Sequence, residues 1–452
     1  MASPDLPLHG QPAVAAPADR HGNRLRQLAW VAIAIAVAYL AWRGVWRAIG
    51  YDQDLNVGYA AGRAWLFGRD PYDADALRDI LVRSGNGRIA FEESLAWRLN
   101  VYFPTTLPVF LAVSFLPWMA ATLGIIAVNL VATFAILWGM LRLLGWRWSE
   151  TRALWLTAFF LALAPVHATI TAGQTGLLSL LALVIAFNLE GSSLRFGAGI
   201  AYGLATALKV QIGLPFIAYA AWRRRWASAG AAVAVVGVLS LVSIGRMQVA
   251  GVPWVSSWLA NLATLSAAGG LNDPGAENTQ RYALVNLQFA LSSILDNSFA
   301  VQAITIAVVG AGALAFVWLT RGGKPGDELL SLSVVAVLGL MVTYHRYYDA
   351  VVLVLPIAWA IGVLDTERRS YGIGVLALCA TYLVPIQTAL IAAENGGWIA
   401  PSIADSFVWD AVLLPLHAWV LAILSAVLMA AVARQRSGRG QASAPIDRPM
   451  GA

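Results

Sequence analysis

The chain has 452 residues, of which 59% are hydrophobic and only 12% charged, with a formal net charge of +6 and a mean hydropathy of +0.68. A soluble domain carries about 25% charged residues, so this composition excludes a water-soluble globular protein. The basic residues sit in short clusters between apolar runs, which is the pattern that sets membrane orientation and not that of a nucleic-acid-binding face.

Residues 1–23 are polar and rich in Pro and Ala, and read as a disordered cytoplasmic N-terminus. Arg24 and Arg26 precede the first apolar run, which continues to Arg43 without a small-x-small cleavage site and reads as a retained signal anchor. From residue 28 to residue 432 uncharged runs of about 20 residues recur, each long enough to cross ~30 Å of hydrocarbon as a helix. They lack the polar-apolar alternation of membrane strands. The expected architecture is an all-α integral membrane bundle of about twelve crossings within a single polytopic domain, residues 24–433, followed by a disordered cytoplasmic tail, 434–452.

With Arg24 and Arg26 inside, the first helix sends residues 51–103 outward as a long extracytoplasmic first loop. Residues 105–116 are too short to span alone and read as re-entrant or interfacial; residues 119–144 return inward. The same alternation leaves Arg142, Arg147, Arg152, Arg195, Arg223, Arg224, Arg225, Arg321, Lys324, Arg368, Arg369 and Arg434 in the cytoplasm. It requires residues 196–222 to form a tight hairpin of two short helices, because a single tilted span would invert everything downstream. Residues 250–298 form a second large outer segment. No internal repeat relates the halves, which argues against an inverted-repeat transporter.

The outer segments hold the side chains able to do chemistry. Asp54 opens a helical stretch closed by Gly68 and an Asp70-Pro71-Tyr72 turn. It reads either as an N-cap or as a general base at the lip of a membrane cavity, and Asp52 is a second carboxylate candidate. Gln174 lies in HATITAGQTG, Lys209 near the outer end of a short helix, and Arg281 in ENTQRYALVNLQ; TYHRYYDAVVLVLP supplies His345, Arg346 and Asp349. Ionisable groups at membrane depth are costly and usually functional. The plainer readings are a snorkelling Lys209 and a His345–Asp349 pair bracing a hairpin. Walker, GxGxxG, HExxH and CxxC patterns are missing, and the lone Cys379 lies in an apolar run. No metal site and no cofactor is implied. With no loop large enough for a soluble nucleotide-binding domain, a sugar or phosphate substrate must come through the membrane or from outside, which favours a lipid-linked donor.

Asp54 with VGYAAGRAWLFGRDPYD, then VYFPTTLPVFLAVSFLP, GQTGLLSLLAL, AGIAYGLATALKVQIGLPF and YHRYYDAVVLVLP, resembles glycosyltransferase family 87 of the GT-C class in order over most of the chain. The chain departs from the pattern of many relatives where TYHRYYD replaces Ser-Pro-x-x-Trp-x-His, and at Pro104-Thr105 in place of Pro-Pro. The resemblance implies a GT-C-like bundle that moves a hexose, mannose by family analogy, from a polyprenyl-phosphate sugar to a glycolipid or envelope glycan on the extracytoplasmic face of a bacterial-type inner membrane. It implies Asp54 as general base, with Lys209, Arg281, His345 and Arg346 meeting the leaving phosphate and Tyr72, Tyr102 and Gln174 contacting sugar. The rival reading is a transporter or flippase of a lipid-linked or polyanionic substrate, in which the same charges line a translocation path.

Overall fold

A computed structural model describes residues 20–49, 53–86, 99–321 and 327–442. Asp52 and Lys324 lie outside the described residues. Among those described the chain is helical, and the only strand-like feature is one isolated antiparallel bridge, Leu284 to Arg346.

The helices in chain order are α1 (Arg20–Leu40, continued as a π-helical turn Ala41–Trp46), α2 (Gln53–Leu66), α3 (Ala74–Arg83), α4 (Leu107–Ser114), α5 (Trp118–Leu144), α6 (Thr151–Ala162), α7 (Ala164–Ala172), α8 (Gly176–Glu190), α9 (Arg195–Leu208) and α10 (Val210–Trp222). They continue with α11 (Trp226–Val249), α12 (Trp254–Ser266), α13 (Leu287–Ser292), α14 (Ser298–Thr320), α15 (Glu328–Val342), α16 (Val354–Gly362), α17 (Arg369–Ala380), α18 (Ile386–Asn395), α19 (Pro401–Ala404) and α20 (Leu416–Ala442).

Among the described residues six helical segments are long and apolar enough to cross a bilayer, and the α6–α7 pair, bent by 47° at Leu163, brings the number to seven at most. The expected count of about twelve is not confirmed. Apolar helices such as α8, α10 and α15 have only 13 to 15 residues, roughly 20 to 22 Å at 1.5 Å per residue, short of the hydrocarbon thickness. Composition cannot tell a short helix buried inside the bundle from a span. Every residue of α15 from Leu330 to Met341 is buried, whereas α1, α11 and α14 expose large apolar side chains such as Ile35, Leu241 and Leu314 to the lipid. α20 also runs to Ala442, past the expected start of the tail at Arg434, because the helix formers Ala433 to Arg436 carry it on.

The segment 196–222 forms the expected hairpin. Gly213 lies so close to Thr206 that a Cβ on it would sit 2.4 Å from the Thr206 amide nitrogen; on one continuous helix these residues would be roughly 10 Å apart. Lys209, extended at φ −154°, ψ 94°, is the reversal point. Turning a chain at membrane depth strands the last carbonyls of α9. Ala205 O keeps a backbone partner in Lys209 N (3.0 Å), and hydroxyls from two other segments bond the end of the helix: Thr105 Oγ1 donates to Ala207 O (3.2 Å), and at the start of α8 Thr175 Oγ1 donates to Leu208 O (3.2 Å) and Ser179 Oγ to Ala205 O (2.9 Å).

Candidate active site

α2 is fixed by close approach. Gly58 and Gly62, one turn apart, let the helix sink onto α4, where a Cβ on Gly58 would meet the Phe110 ring at 2.3 Å and one on Gly62 the Ser114 Oγ at 2.6 Å. Ser114 Oγ donates to Tyr59 O at 2.9 Å and locks the pair. Asp54 lies within the first turn of this helix and not ahead of it, where the helix dipole favours a carboxylate. Its side chain has no hydrogen-bond or ion-pair partner among the described residues and lines a cavity of about 1230 Å³.

The floor of that cavity comes from three chain reversals. Gly173, in the left-handed region at φ +67°, ends α7 and lies against Leu55, where a Cβ would be 2.7 Å from Leu55 Cβ. This sets Gln174 beside the Asp54 helix. The α9–α10 tip supplies Lys209. After α15 the chain is extended at Thr343 and Arg346 and enters a 3-10 helix at Tyr347; Thr343, Tyr344, Arg346 and, from the 3-10 helix, Tyr348 line the cavity, while His345 and Asp349 are buried.

These groups form one hydrogen-bonded chain. His345 Nδ1 pairs with Asp349 Oδ2 at 3.0 Å, and Asp349 Oδ1 pairs with the Lys209 ammonium. Lys209 Nζ donates to Gln174 Oε1 at 3.0 Å and lies 4.3 Å from the Tyr348 ring centroid. Gln174 Nε2 donates to Tyr102 OH (3.0 Å) and Tyr348 OH (3.1 Å). The side chains of Lys209 and Asp349 are 2% and 1% exposed, so neither charge is solvated and each needs the other. Arg346 differs: its Nε donates to Tyr344 OH (2.9 Å) and a terminal nitrogen to Leu271 O (3.1 Å), both neutral. Its positive charge therefore faces the cavity without a bonded carboxylate.

Of the residues marked by sequence, Asp54, Tyr102, Gln174, Lys209 and Arg346 line this one cavity. Four others do not, among them Asp349, which is buried beneath Lys209. His345 is wholly buried and reaches the floor only through Asp349. Arg281 pairs with Asp410 at 2.9 Å and packs over Phe289. Tyr72 donates its hydroxyl to the Tyr102 carbonyl at 3.1 Å; burial, reinforced by the Asp70 charge, pushes its acidity well below that of an ordinary phenol, so it stays a donor. Tyr344 and Tyr348 carry no sequence motif, and the signal that marks them is their alternation with Arg346. Carboxylates Glu277 and Asp296 also border the cavity. Among the described residues no three His, Cys, Asp or Glu side chains converge as a metal site would require.

A carboxylate that no side chain bonds, a guanidinium bonded only to neutral groups and several amide and phenol groups in one partly apolar chamber suit a reaction between a hydroxyl compound and an anionic, lipid-linked one. The sequence pattern of glycosyltransferase family 87 matches residues 100–343, more than half of the chain. The chain belongs to glycosyltransferase family 87. It is a membrane glycosyltransferase, which sets aside the transporter reading. A curated relative from Mycobacterium tuberculosis, a polyprenol-phosphate-mannose-dependent alpha-(1-2)-phosphatidylinositol mannoside mannosyltransferase, is 27% identical over 94% of this chain and 97% of its own. A protein of the same description from Mycolicibacterium smegmatis is 26% identical over 91% of this chain and 92% of its own. No solved structure matches the chain. The family match covers Tyr102, Gln174 and Lys209 but begins after Asp54 and stops before Tyr344, so for this family 87 enzyme the parts played by Asp54 and Arg346 rest on the cavity's geometry.

Proposed function

We propose that the enzyme transfers a hexose, mannose by analogy with the mycobacterial relatives, from a polyprenyl-phosphate sugar to a glycolipid of the phosphatidylinositol mannoside type or to a related envelope glycan. The observation that carries this reading is the convergence in one cavity of Asp54, which no described side chain bonds, and Arg346, whose guanidinium bonds only neutral groups. Asp54 takes the proton of the acceptor hydroxyl as its oxygen bonds to the anomeric carbon. The bond from that carbon to the phosphate oxygen breaks, and its electron pair leaves on polyprenyl phosphate, whose growing negative charge Arg346 meets. The buried floor holds these groups in place before substrate arrives.

We place the cavity on the extracytoplasmic side of a bacterial inner membrane, with both termini cytoplasmic. The support is the positive-inside register of Arg24, Arg26, Arg142, Arg195 and Arg223 to Arg225, together with the hairpin that register requires. A purified enzyme in vesicles, given radiolabelled polyprenyl-phosphate mannose and phosphatidylinositol mannoside, is expected to form a labelled glycolipid. Replacing Asp54 by Asn should lower that rate by 10²-fold or more, in line with the ~10²–10⁴ contributed by a general base. Transfer at the normal rate by Asp54→Asn would refute the assignment.

A further inference from the structure

The network behind the cavity has a direction. The Lys209 ammonium has three hydrogens to give and nothing with which to accept. Its neighbours are the Asp349 carboxylate, Gln174 Oε1 and the face of Tyr348. The oxygen of the Gln174 amide must therefore face Lys209, so the amide orientation follows from chemistry and not from a choice between two similar atoms. The two Nε2 hydrogens then go to two phenol oxygens, Tyr102 OH and Tyr348 OH. A phenol that accepts on one side keeps its own O–H for the other. Neither hydroxyl donates to any described residue, and both tyrosines line the cavity.

The same logic holds at Arg346. A guanidinium accepts nothing, so Tyr344 OH accepts from Arg346 Nε at 2.9 Å, and the Tyr344 O–H is again left for the cavity it lines. A sugar hydroxyl can both give and receive a hydrogen bond, but a phosphate oxyanion can only receive. Three O–H groups without an acceptor among the described residues, beside a guanidinium that bonds only neutral groups, suit a phosphate oxyanion, which brings lone pairs and negative charge to all of them.

We infer that the hydroxyls of Tyr102, Tyr344 and Tyr348 form, with Arg346, a hydrogen-bond donor array for the phosphate of the lipid-linked substrate, and that Gln174 is the positioning residue that sets the polarity of two of them. This rests on the reading that the cavity takes a polyprenyl-phosphate donor. As the anomeric carbon to oxygen bond breaks, its electron pair comes to rest on a phosphate oxygen, and the array stabilises that charge by hydrogen bonds. No proton leaves a tyrosine. Lys209 and Asp349 touch neither substrate; they orient the amide.

Gln174→Glu tests the polarity with almost no change of shape. The carboxylate still accepts from Lys209 and now also accepts from both phenols, so the network stays complete while both O–H groups turn away from the cavity. The array predicts turnover at least ~10²-fold lower, as for the loss of an oxyanion donor, and a raised Kd for polyprenyl phosphate measured alone, with a lower melting temperature because the new carboxylate shares the one Lys209 ammonium with Asp349. The Tyr102→Phe, Tyr348→Phe double variant should show the same two losses. Adding Gln174→Glu to it should change either value less than threefold, because no O–H remains to be turned. Wild-type turnover and Kd in Gln174→Glu, or in the double variant should Gln174→Glu fail to fold, would overturn the array, as would full additivity of the two changes. An Asp54→Asn enzyme with normal turnover would instead break the functional reading and leave the polyprenyl-phosphate Kd comparison standing.

Discussion

The cavity floor and the clasp at Arg281 each join a basic side chain to partners from distant segments, but they differ in what the charge is left free to do. Arg281 spends its charge on Asp410, whose side chain is 49% exposed, so water screens the pair and the bond mainly ties the outer segment to the residues before α20. On the floor, Lys209 is neutralised by Asp349 out of contact with water, and Arg346 bonds only neutral groups. Residue type does not decide which cation serves a substrate. The partner and the dielectric around it do.

That contrast breaks most sharply at Asp349. Asp349→Ala leaves the Lys209 ammonium buried without its counter-charge, a change that costs about 3–5 kcal/mol, and is expected to appear as a large fall in melting temperature. The Lys209→Met, Asp349→Leu pair, which removes both charges, should recover most of that stability. Failure of the pair to recover would mean that the two charges are not coupled in the way the structure indicates. Next in size, Arg346→Ala should lower donor turnover by roughly 10²–10³-fold, the scale of one lost oxyanion contact, while the melting temperature stays near that of the parent. Gly58→Ala drives a methyl into the Phe110 ring and should cost about 1–3 kcal/mol of stability, because α2 can no longer rest on α4. Smallest of all, Arg281→Ala should cost less than about 1 kcal/mol and leave transfer within a few-fold of normal. A large loss of donor use there would place Arg281 at the phosphate after all.

Much of this arrangement was legible in the sequence, and the failures have physical causes. The α9–α10 hairpin followed from the need to keep Arg195 and Arg223 on one side, and Gly213 against Thr206 bears it out. The count of about twelve crossings is not confirmed, since among the described residues α8, α10 and α15 are apolar but shorter than a span. Asp54, Gln174, Lys209, Tyr102 and Arg346 stand out as polar groups in apolar surroundings, and the fold brings them to one cavity. His345 was read as reaching that cavity because neighbouring residues were taken together. The extended backbone at Thr343 and Arg346 separates them instead, with Tyr344 and Arg346 on the cavity and His345 buried, and the 3-10 helix that starts at Tyr347 brings Tyr348 to the same cavity. Tyrosines inside apolar runs resemble ordinary packing, so the phenol hydroxyls become visible only once the donors to them are known. Orientation can be checked separately: a cysteine at Ser256 should react with a membrane-impermeant reagent added outside the cell and one at Ser192 should not, and the reverse pattern would invert the register.

Asp54 is expected to act on the acceptor while the floor holds the donor, a division of labour that separates binding from rate. It is tested most directly by measuring donor Kd and single-turnover transfer together in Asp54→Asn. The expected result is an unchanged Kd for polyprenyl-phosphate mannose with the transfer rate reduced ~10²-fold or more. An unchanged rate, or a rate loss fully explained by weaker donor binding, would contradict it.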